Sequence, residues 1–145
     1  MRKVSCRIRE TLIDLTGGLT QSYMDRRVLI VDDEVDITDA LKAGLEGHGF
    51  RVSTFNDPEA ALRSFKQGQF DVAILDIRMP KMNGFDLYRR LSKIDGQTSV
   101  CFLTAFDVYR EEFEKMFPDL KVKLFLKKPI TITKLAARLK ELVRG

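Results

Sequence analysis

The stretch VLIVDDEVD, Val28 to Asp36, places four aliphatic residues directly before three consecutive acids. A continuous apolar run of this length is typical of a strand buried on both faces, as in a parallel sheet covered by helices. The acids Asp32, Asp33 and Glu34 could cap the following helix, whose N-terminus favours negative charge, or they could belong to a site. Which role they have depends on the residues that follow the other strands.

The pattern of an apolar run followed by an amphipathic run repeats five times from Asp25 onward. The predicted strands are RRVLIVDD, FRVSTF, FDVAILD, TSVCFLTA and VKLFL. Each is followed by a predicted helix. These patterns predict a doubly wound α/β domain with a parallel sheet.

The helices are predicted from apolar spacing and from residues that begin or end helices. The first has an apolar face and ends at a pair of glycines, and these residues are Val35, Ile37, Ala40, Leu41, Leu45, Gly47 and Gly49. The second begins at the cap Asp57 with Pro58 in its first turn and ends at Gly68. The remaining three are marked by Phe85, Leu87, Leu91 and Ile94, by DVYREEFEKMF before Pro118, and by ITKLAARLKELV.

Composition indicates one globular domain of 145 residues, 44% apolar and 32% charged. No apolar run approaches the ~18 residues that cross a membrane, so we expect a cytoplasmic protein without membrane contact. Cys6 and Cys101 lie far apart and indicate neither a disulfide framework nor a metal site. The net charge of +4 is spread along the chain and does not indicate nucleic acid binding. Residues 1–24 fall outside the repeat, and we expect a disordered or cloning-derived extension before a domain over 25–145.

Polar residues suited to chemistry follow four of the five predicted strands: Asp32 and Asp33, Asp76, Thr104 and Lys128. We expect no comparable residue after the second strand. With the first strand between the second and third, the acids should converge at one edge of the sheet. Carboxylates ~4 Å apart repel by roughly 4 kcal/mol per pair at an effective dielectric of 20, so they need a cation. All-oxygen ligands suit Mg²⁺, and a carboxylate beside a hydroxyl and an ammonium can support phosphoryl transfer.

Four segments carry a family pattern: VLIVDDE, DVAILDIRMPKMNGFDL, FLTA and LKKPI. Through them the sequence from about Arg26 to Arg144 resembles the receiver domain of two-component response regulators. The resemblance implies a flavodoxin-like sheet of order 2-1-3-4-5 with five helices. It also implies a chemotaxis-type, single-domain signalling module that is not an enzyme but assists its own phosphorylation and dephosphorylation. The phosphoryl donor would be a sensor histidine kinase or a histidine phosphotransfer protein.

The resemblance implies that Asp76 accepts the phosphoryl group and that Mg²⁺ is the cofactor. Asp33, Asp76 and the main-chain carbonyl of Arg78 would hold the metal, and Asp32 would act through a metal-bound water. Glu34 would be left with a capping role.

It also implies roles for residues further along the chain. Lys128 would pair with Asp76 before phosphorylation and with the phosphoryl oxygens afterwards, and the Lys128-Pro129 bond would be cis. Thr104 would swing inward to bind the phosphoryl group, with Phe125 following as the switch aromatic. Lys127 would be a solvated neighbour.

The sequence departs from the family at several positions. Phe125 lacks the hydroxyl of the frequent tyrosine, and FPDLKVK replaces the usual small residues before the fifth strand. In this family the face formed by the fourth helix, the fifth strand and the last helix normally carries the signal. Because the sequence departs from the family at this face, the downstream protein target is unknown. Phosphorylation-dependent homodimerisation is also open. Arg78 and Phe106 should flank the path of hydrolytic water, which predicts a long-lived aspartyl phosphate.

Other charged groups indicate ordinary structure. His48 lies between two glycines at a helix end and is not expected to be a phosphodonor. The basic residues of the last helix indicate a solvated face or, less strongly, docking to an acidic partner; they are Lys134, Arg138, Lys140 and Arg144. No output domain is visible after the receiver pattern, so no direct nucleic acid binding is expected. A stand-alone receiver, a phosphate shuttle and a piece of a longer protein remain open.

The alternative enzyme class is an aspartate-nucleophile phosphohydrolase of the haloacid dehalogenase type. That chemistry requires a general acid two residues after the nucleophile, which protonates the leaving group. Val35 follows Asp33 at that spacing and Arg78 follows Asp76, so only Asp32 with Glu34 could qualify. A degenerate receiver without phosphorylation is disfavoured because all five site residues are present.

Overall fold

The computed structural model describes residues 25–105 and 124–144, together with the isolated residues 111, 114, 115 and 118. Five strands and four helices alternate within the two long ranges. Their bounds are β1 (Arg27–Val31), α1 (Val35–Glu46), β2 (Arg51–Phe55), α2 (Pro58–Ser64), β3 (Val72–Leu75), α3 (Gly84–Ile94), β4 (Ser99–Thr104), β5 (Leu124–Lys127) and α4 (Ile132–Arg144). The predicted extension over 1–24 and the predicted helix over 107–117 fall outside the residues whose structure can be described continuously.

The five strands form one parallel sheet of order β2-β1-β3-β4-β5, which confirms the predicted topology. Strand β1 is central, pairing with β2 on one side and β3 on the other. The residues of β3 are all buried, as are those of β1 after Arg27, whereas the edge strand β2 alternates with exposed positions. The apolar runs therefore belong to the interior strands, as their composition predicted.

Helices cover both faces of the sheet. Successive side chains of a strand point to opposite faces, so Leu29 and Val31 pack in one core cluster and Val28 and Ile30 in the other. The first cluster contains residues of α2 and α3, and the second contains residues of α1 and α4. This arrangement confirms the doubly wound α/β domain.

Some positions differ from the sequence-based expectations. Val35 is 53% exposed and Ile94 is 38% exposed, because each lies at a terminus of its helix, beyond the part that covers the sheet. Ala40, predicted on the apolar face, is exposed in the middle of α1. Helix α2 ends at Ser64 with Phe65 as its cap, before Gly68, which instead adopts a positive φ of 77°.

Among the described residues no helix is both long enough and apolar enough to cross a membrane.

Candidate functional site

The predicted acids meet at the carboxyl edge of the sheet. Asp32 follows β1 and its N–H donates to Phe55 O (3.1 Å), while Asp76 follows β3 and its N–H donates to Val31 O (3.0 Å). These bonds extend the parallel pairing one residue beyond the strands. Carboxylate oxygens of Asp32, Asp33 and Asp76 all lie within 4.8 Å of one another. The convergence expected from strand order is therefore confirmed.

Lys128 brings one positive charge to these acids. Its Nζ lies 2.6 Å from Asp32 Oδ2, 3.8 Å from Asp76 Oδ2 and 3.9 Å from Glu34 Oε1. The main chain of Lys128 is anchored to β4, because its N–H donates to Thr104 O (2.8 Å). The ammonium thus contacts Asp76 as expected, but its hydrogen bond is to Asp32. The Lys128-Pro129 bond is cis, as predicted, and Lys127 is exposed.

The Asp76 carboxyl is buried and its pKa is raised above the ordinary value of 3.8. Burial is the largest cause, followed by the negative charge of Asp32. Lys128 and the N–H of Ile77, which donates to Asp76 Oδ1 at 2.8 Å, oppose this rise. Burial and the negative charge of Asp32 together outweigh these opposing groups, so the ionised form of Asp76 is disfavoured.

Thr104 lies at the end of β4 and is only 4% exposed. Its hydroxyl slightly lowers the pKa of Asp76, but Oγ1 reaches no hydrogen-bond partner at bonding geometry within the described residues. A buried hydroxyl without a partner is costly and unusual. Thr104 can therefore donate a hydrogen bond to a ligand at the acids.

The structure describes two of the three other expected site residues, Phe125 and Arg78. Phe125 is half-buried, with its ring centroid 5.4 Å from that of the buried Phe102. Arg78 is exposed two residues after Asp76, and the role of its carbonyl stays a prediction. Phe106 lies outside the described residues, so the predicted slow hydrolysis also stays a prediction.

Glu34 does not have the capping bond expected of it. It occupies the N-cap position of α1, but its side chain makes no capping hydrogen bond. The carboxylate instead lies near Lys128, and the N–H of Glu34 donates to Asp32 Oδ1 (2.9 Å). Asp32 thus orders the turn that leads from β1 into α1.

The comparisons with known proteins agree with this site. Residues 28–140 match the family described as the response regulator receiver domain. The chain belongs to this family. The haloacid dehalogenase alternative finds no support among these matches.

The relatives of this receiver domain include transcriptional regulatory proteins that are longer than it is. It is 36% identical over 120 residues to the transcriptional regulatory protein PrrA of Mycobacterium tuberculosis, covering 81% of the chain and 50% of that protein. It is 33% identical over 119 residues to the transcriptional regulatory protein PcoR of Escherichia coli, covering 82% of the chain and 52% of that protein. The chain thus spans about half the length of these curated relatives.

Solved structures of receivers share the fold of this receiver domain. A CheY-like receiver domain protein from Methanospirillum hungatei aligns with a TM-score of 0.75 at 25% identity, covering 83% of this chain and 94% of that one. The response regulator TrrA from Thermotoga maritima, in complex with Mg²⁺-BeF, aligns with a TM-score of 0.69 at 29% identity, covering 81% and 98%.

Two residues that contact the segments bearing the acids were missed from the sequence. No comparable residue was expected after the second strand, but Asn56 directly follows β2 and its Nδ2 donates to Asp32 O (2.8 Å). Its polar side chain after a strand was the available signal. Gly84, at the start of α3, donates its N–H to Ile77 O (2.8 Å). Its signal was the glycine that ends the loop RMPKMNG.

A side chain at Gly84 would clash with the backbone of the loop that follows β3. A Cβ built on Gly84 would overlap the carbonyl oxygen of Asp76 and lie 2.9 Å from the Cα of Ile77. Both neighbours are backbone, so neither can move aside as a flexible side chain could. The loop after β3 therefore packs against the first turn of α3 at a distance only glycine permits.

We expect Gly84→Ala to destabilise the domain by about 2 kcal/mol, because overpacking against backbone outweighs the ~1 kcal/mol that alanine gains in a helix. Urea unfolding at constant m-value would measure the change. Gly96→Ala is the matched control, since its Cβ would only reach ordinary contact, 3.7 Å from Ser92 O. An equal effect of the two substitutions would contradict the close approach at Gly84.

Proposed function

We propose that this receiver domain accepts a phosphoryl group on Asp76 from a histidine kinase or a histidine phosphotransfer protein, with Mg²⁺ as cofactor. The observation that carries the proposal is the meeting of Asp32, Asp33 and Asp76 within 4.8 Å, beside Lys128. Asp33, Asp76 and the main-chain carbonyl of Arg78 would hold the metal, and Asp32 would act through a metal-bound water.

The charges of the site support a divalent cation. Three carboxylates and the ammonium of Lys128 sum to −3 + 1 = −2 when all four groups are ionised. When bound, Mg²⁺ would offset this charge and hold a phosphoryl oxygen. Oxygen ligands that leave coordination positions to water suit Mg²⁺ better than softer metals.

Asp76 has one oxygen placed for attack. Its Oδ1 accepts the N–H of Ile77, whereas Oδ2 faces the ammonium of Lys128. We assign Oδ2 as the atom that bonds to phosphorus, while the bond from phosphorus to the donor nitrogen breaks. Lys128 and the hydroxyl of Thr104 would then bind the transferred phosphoryl oxygens, which carry the negative charge.

The switch would run through Phe125. Movement of Thr104 towards the phosphoryl group would change the space beside β4, where the Phe125 ring packs on Phe102. The exposed surface of β5 and α4 would then present a different shape to a downstream protein target or to a second copy of the domain. Direct nucleic acid binding is not proposed for this domain, although relatives of about twice its length are named transcriptional regulators.

The domain would act in the cytoplasm as a signalling module that assists its own phosphorylation and dephosphorylation, rather than as an enzyme on a separate substrate. Residues 25–145 would form the receiver, and residues 1–24 an extension without a part in the site.

The test is to incubate the wild-type protein with Mg²⁺ and a small acyl phosphate, or with a phosphorylated histidine kinase, and to follow its intact mass. We expect the gain of one phosphoryl group per chain, in a bond that hydroxylamine cleaves as it does acyl phosphates. No gain with either donor would reject the proposal. Steady release of phosphate from simple monoesters would instead favour a hydrolase.

A further inference from the structure

We propose that Asn56 is a positioning residue for the metal-binding acids, acting through the main chain of Asp32 and with the support of Thr38. The inference rests on the proposed Mg²⁺ site and deepens it. It gives a role to Asn56, which directly follows β2, the strand after which no site residue was expected.

The amide of Asn56 joins two elements. Its Nδ2 lies 2.8 Å from Asp32 O and 2.9 Å from Thr38 Oγ1. An amide nitrogen carries two N–H groups, so both donors are used. The side chain therefore connects the turn after β1 with the first turns of α1.

The hydroxyl of Thr38 fixes the direction of this amide. Thr38 is buried, and its Oγ1 donates to Val35 O (3.0 Å). Since its one hydrogen is used towards Val35, the oxygen meets Asn56 as an acceptor. The amide must present N–H groups to both partners, and any other orientation would lose these bonds.

The consequence for the site follows from which peptide unit is held. The N–H of Asp32 is bound by Phe55 O, and its carbonyl is bound by Asn56. That carbonyl belongs to the peptide linking Asp32 to Asp33. Asp33 is exposed, so the position of its carboxylate depends on its backbone. Asn56 thus fixes the orientation of the peptide plane between Asp32 and Asp33. This orientation determines where the side chain of the proposed metal ligand Asp33 lies.

A purely structural role for Asn56 makes a different prediction. If the amide only tied the loop after β2 to α1, its loss would lower the free energy of unfolding and leave the metal affinity of the folded protein unchanged. If it positions the acids, the affinity should fall as well. Residues that orient metal ligands typically change affinity by about 10- to 100-fold when removed.

The experiment measures Mg²⁺ binding by titration calorimetry and, separately, urea unfolding without metal. We expect Asn56→Ala to weaken Mg²⁺ binding by about tenfold, the lower end for indirect partners. Thr38→Val should weaken it less, because Asn56 can still donate to Asp32 O. Thr38→Ser, which keeps the hydroxyl, should bind as wild type does.

Thr98→Val is the matched control. It removes one side-chain hydrogen bond to the main chain, from Thr98 Oγ1 to Phe70 O (3.0 Å), at the opposite edge of the sheet. It should lower stability without changing Mg²⁺ affinity.

Wild-type affinity in Asn56→Ala, beside a wild type that binds Mg²⁺, would overturn the positioning role alone. A wild type that binds no Mg²⁺ would overturn the proposed metal site and this inference with it.

Discussion

Replacing Asp76 with asparagine is expected to abolish phosphoryl incorporation. An amide has no anionic oxygen to attack phosphorus, and the neighbouring Asp32 and Asp33 do not replace it. Asp32 has an oxygen hydrogen-bonded to Lys128 and the other to the N–H of Glu34, while Asp33 is exposed at the rim. Intact mass after incubation with Mg²⁺ and an acyl phosphate would show no added group.

Asp57→Asn is the matched control for that substitution. Asp57 caps α2 by accepting the N–H of Glu59, and asparagine caps equally well. This variant should be phosphorylated as wild type is. Full incorporation in Asp76→Asn would contradict the assignment of the phosphoacceptor.

Asp76→Asn should also alter the pH dependence of the free energy of unfolding. Burial and then Asp32 raise the pKa of Asp76 above 3.8, so the folded state binds its proton more tightly than the unfolded state does. Its stabilising contribution is complete below 3.8 and is lost as pH rises through the higher folded pKa. Asparagine does not titrate, so Asp76→Asn should gain stability relative to wild type over that interval. Urea unfolding in metal-free buffer at stepped pH would test this, and a difference independent of pH would contradict it.

Removing divalent metal is expected to stop phosphorylation of the wild type. Without the cation the clustered acids would repel one another beside the ammonium of Lys128, and the incoming phosphoryl group would bring more negative charge. A ligand bound only by the folded state stabilises it by RT ln(1 + [L]/Kd), about 2.7 kcal/mol at a hundredfold excess over Kd. Mg²⁺ should therefore raise the urea midpoint as well as permit phosphorylation.

Asp33→Asn should remove most of that stabilisation, because it takes away a proposed ligand from the cluster. Asp36→Asn is the control, since Asp36 is an exposed acid in the first turn of α1 and lies outside the cluster. Equal Mg²⁺ effects in the two variants, or phosphorylation in excess chelator, would argue against the proposed site.

The buried parallel strands and the meeting of the acids were predictable from the residues, because apolar runs mark buried strands and parallel strands end at one edge. The strand order was predicted from the resemblance to receiver domains. The hydrogen bonds of Asn56 could not be predicted, because its partner Thr38 is 18 residues away and its bond to Asp32 is to the main chain. Helical periodicity likewise placed Val35 and Ile94 on apolar faces without indicating where each helix stops covering the sheet. Lys128 Nζ lies 2.6 Å from Asp32 Oδ2 and 3.8 Å from Asp76 Oδ2. Residue types alone do not determine which of the two carboxylates the ammonium binds.

The ion pair between Lys128 and Asp32 joins residues that are 96 positions apart in the chain. Asp32 follows β1, and Lys128 follows β5. The ammonium therefore joins the acids only when β1 and β5 both lie in the sheet, with β3 and β4 between them.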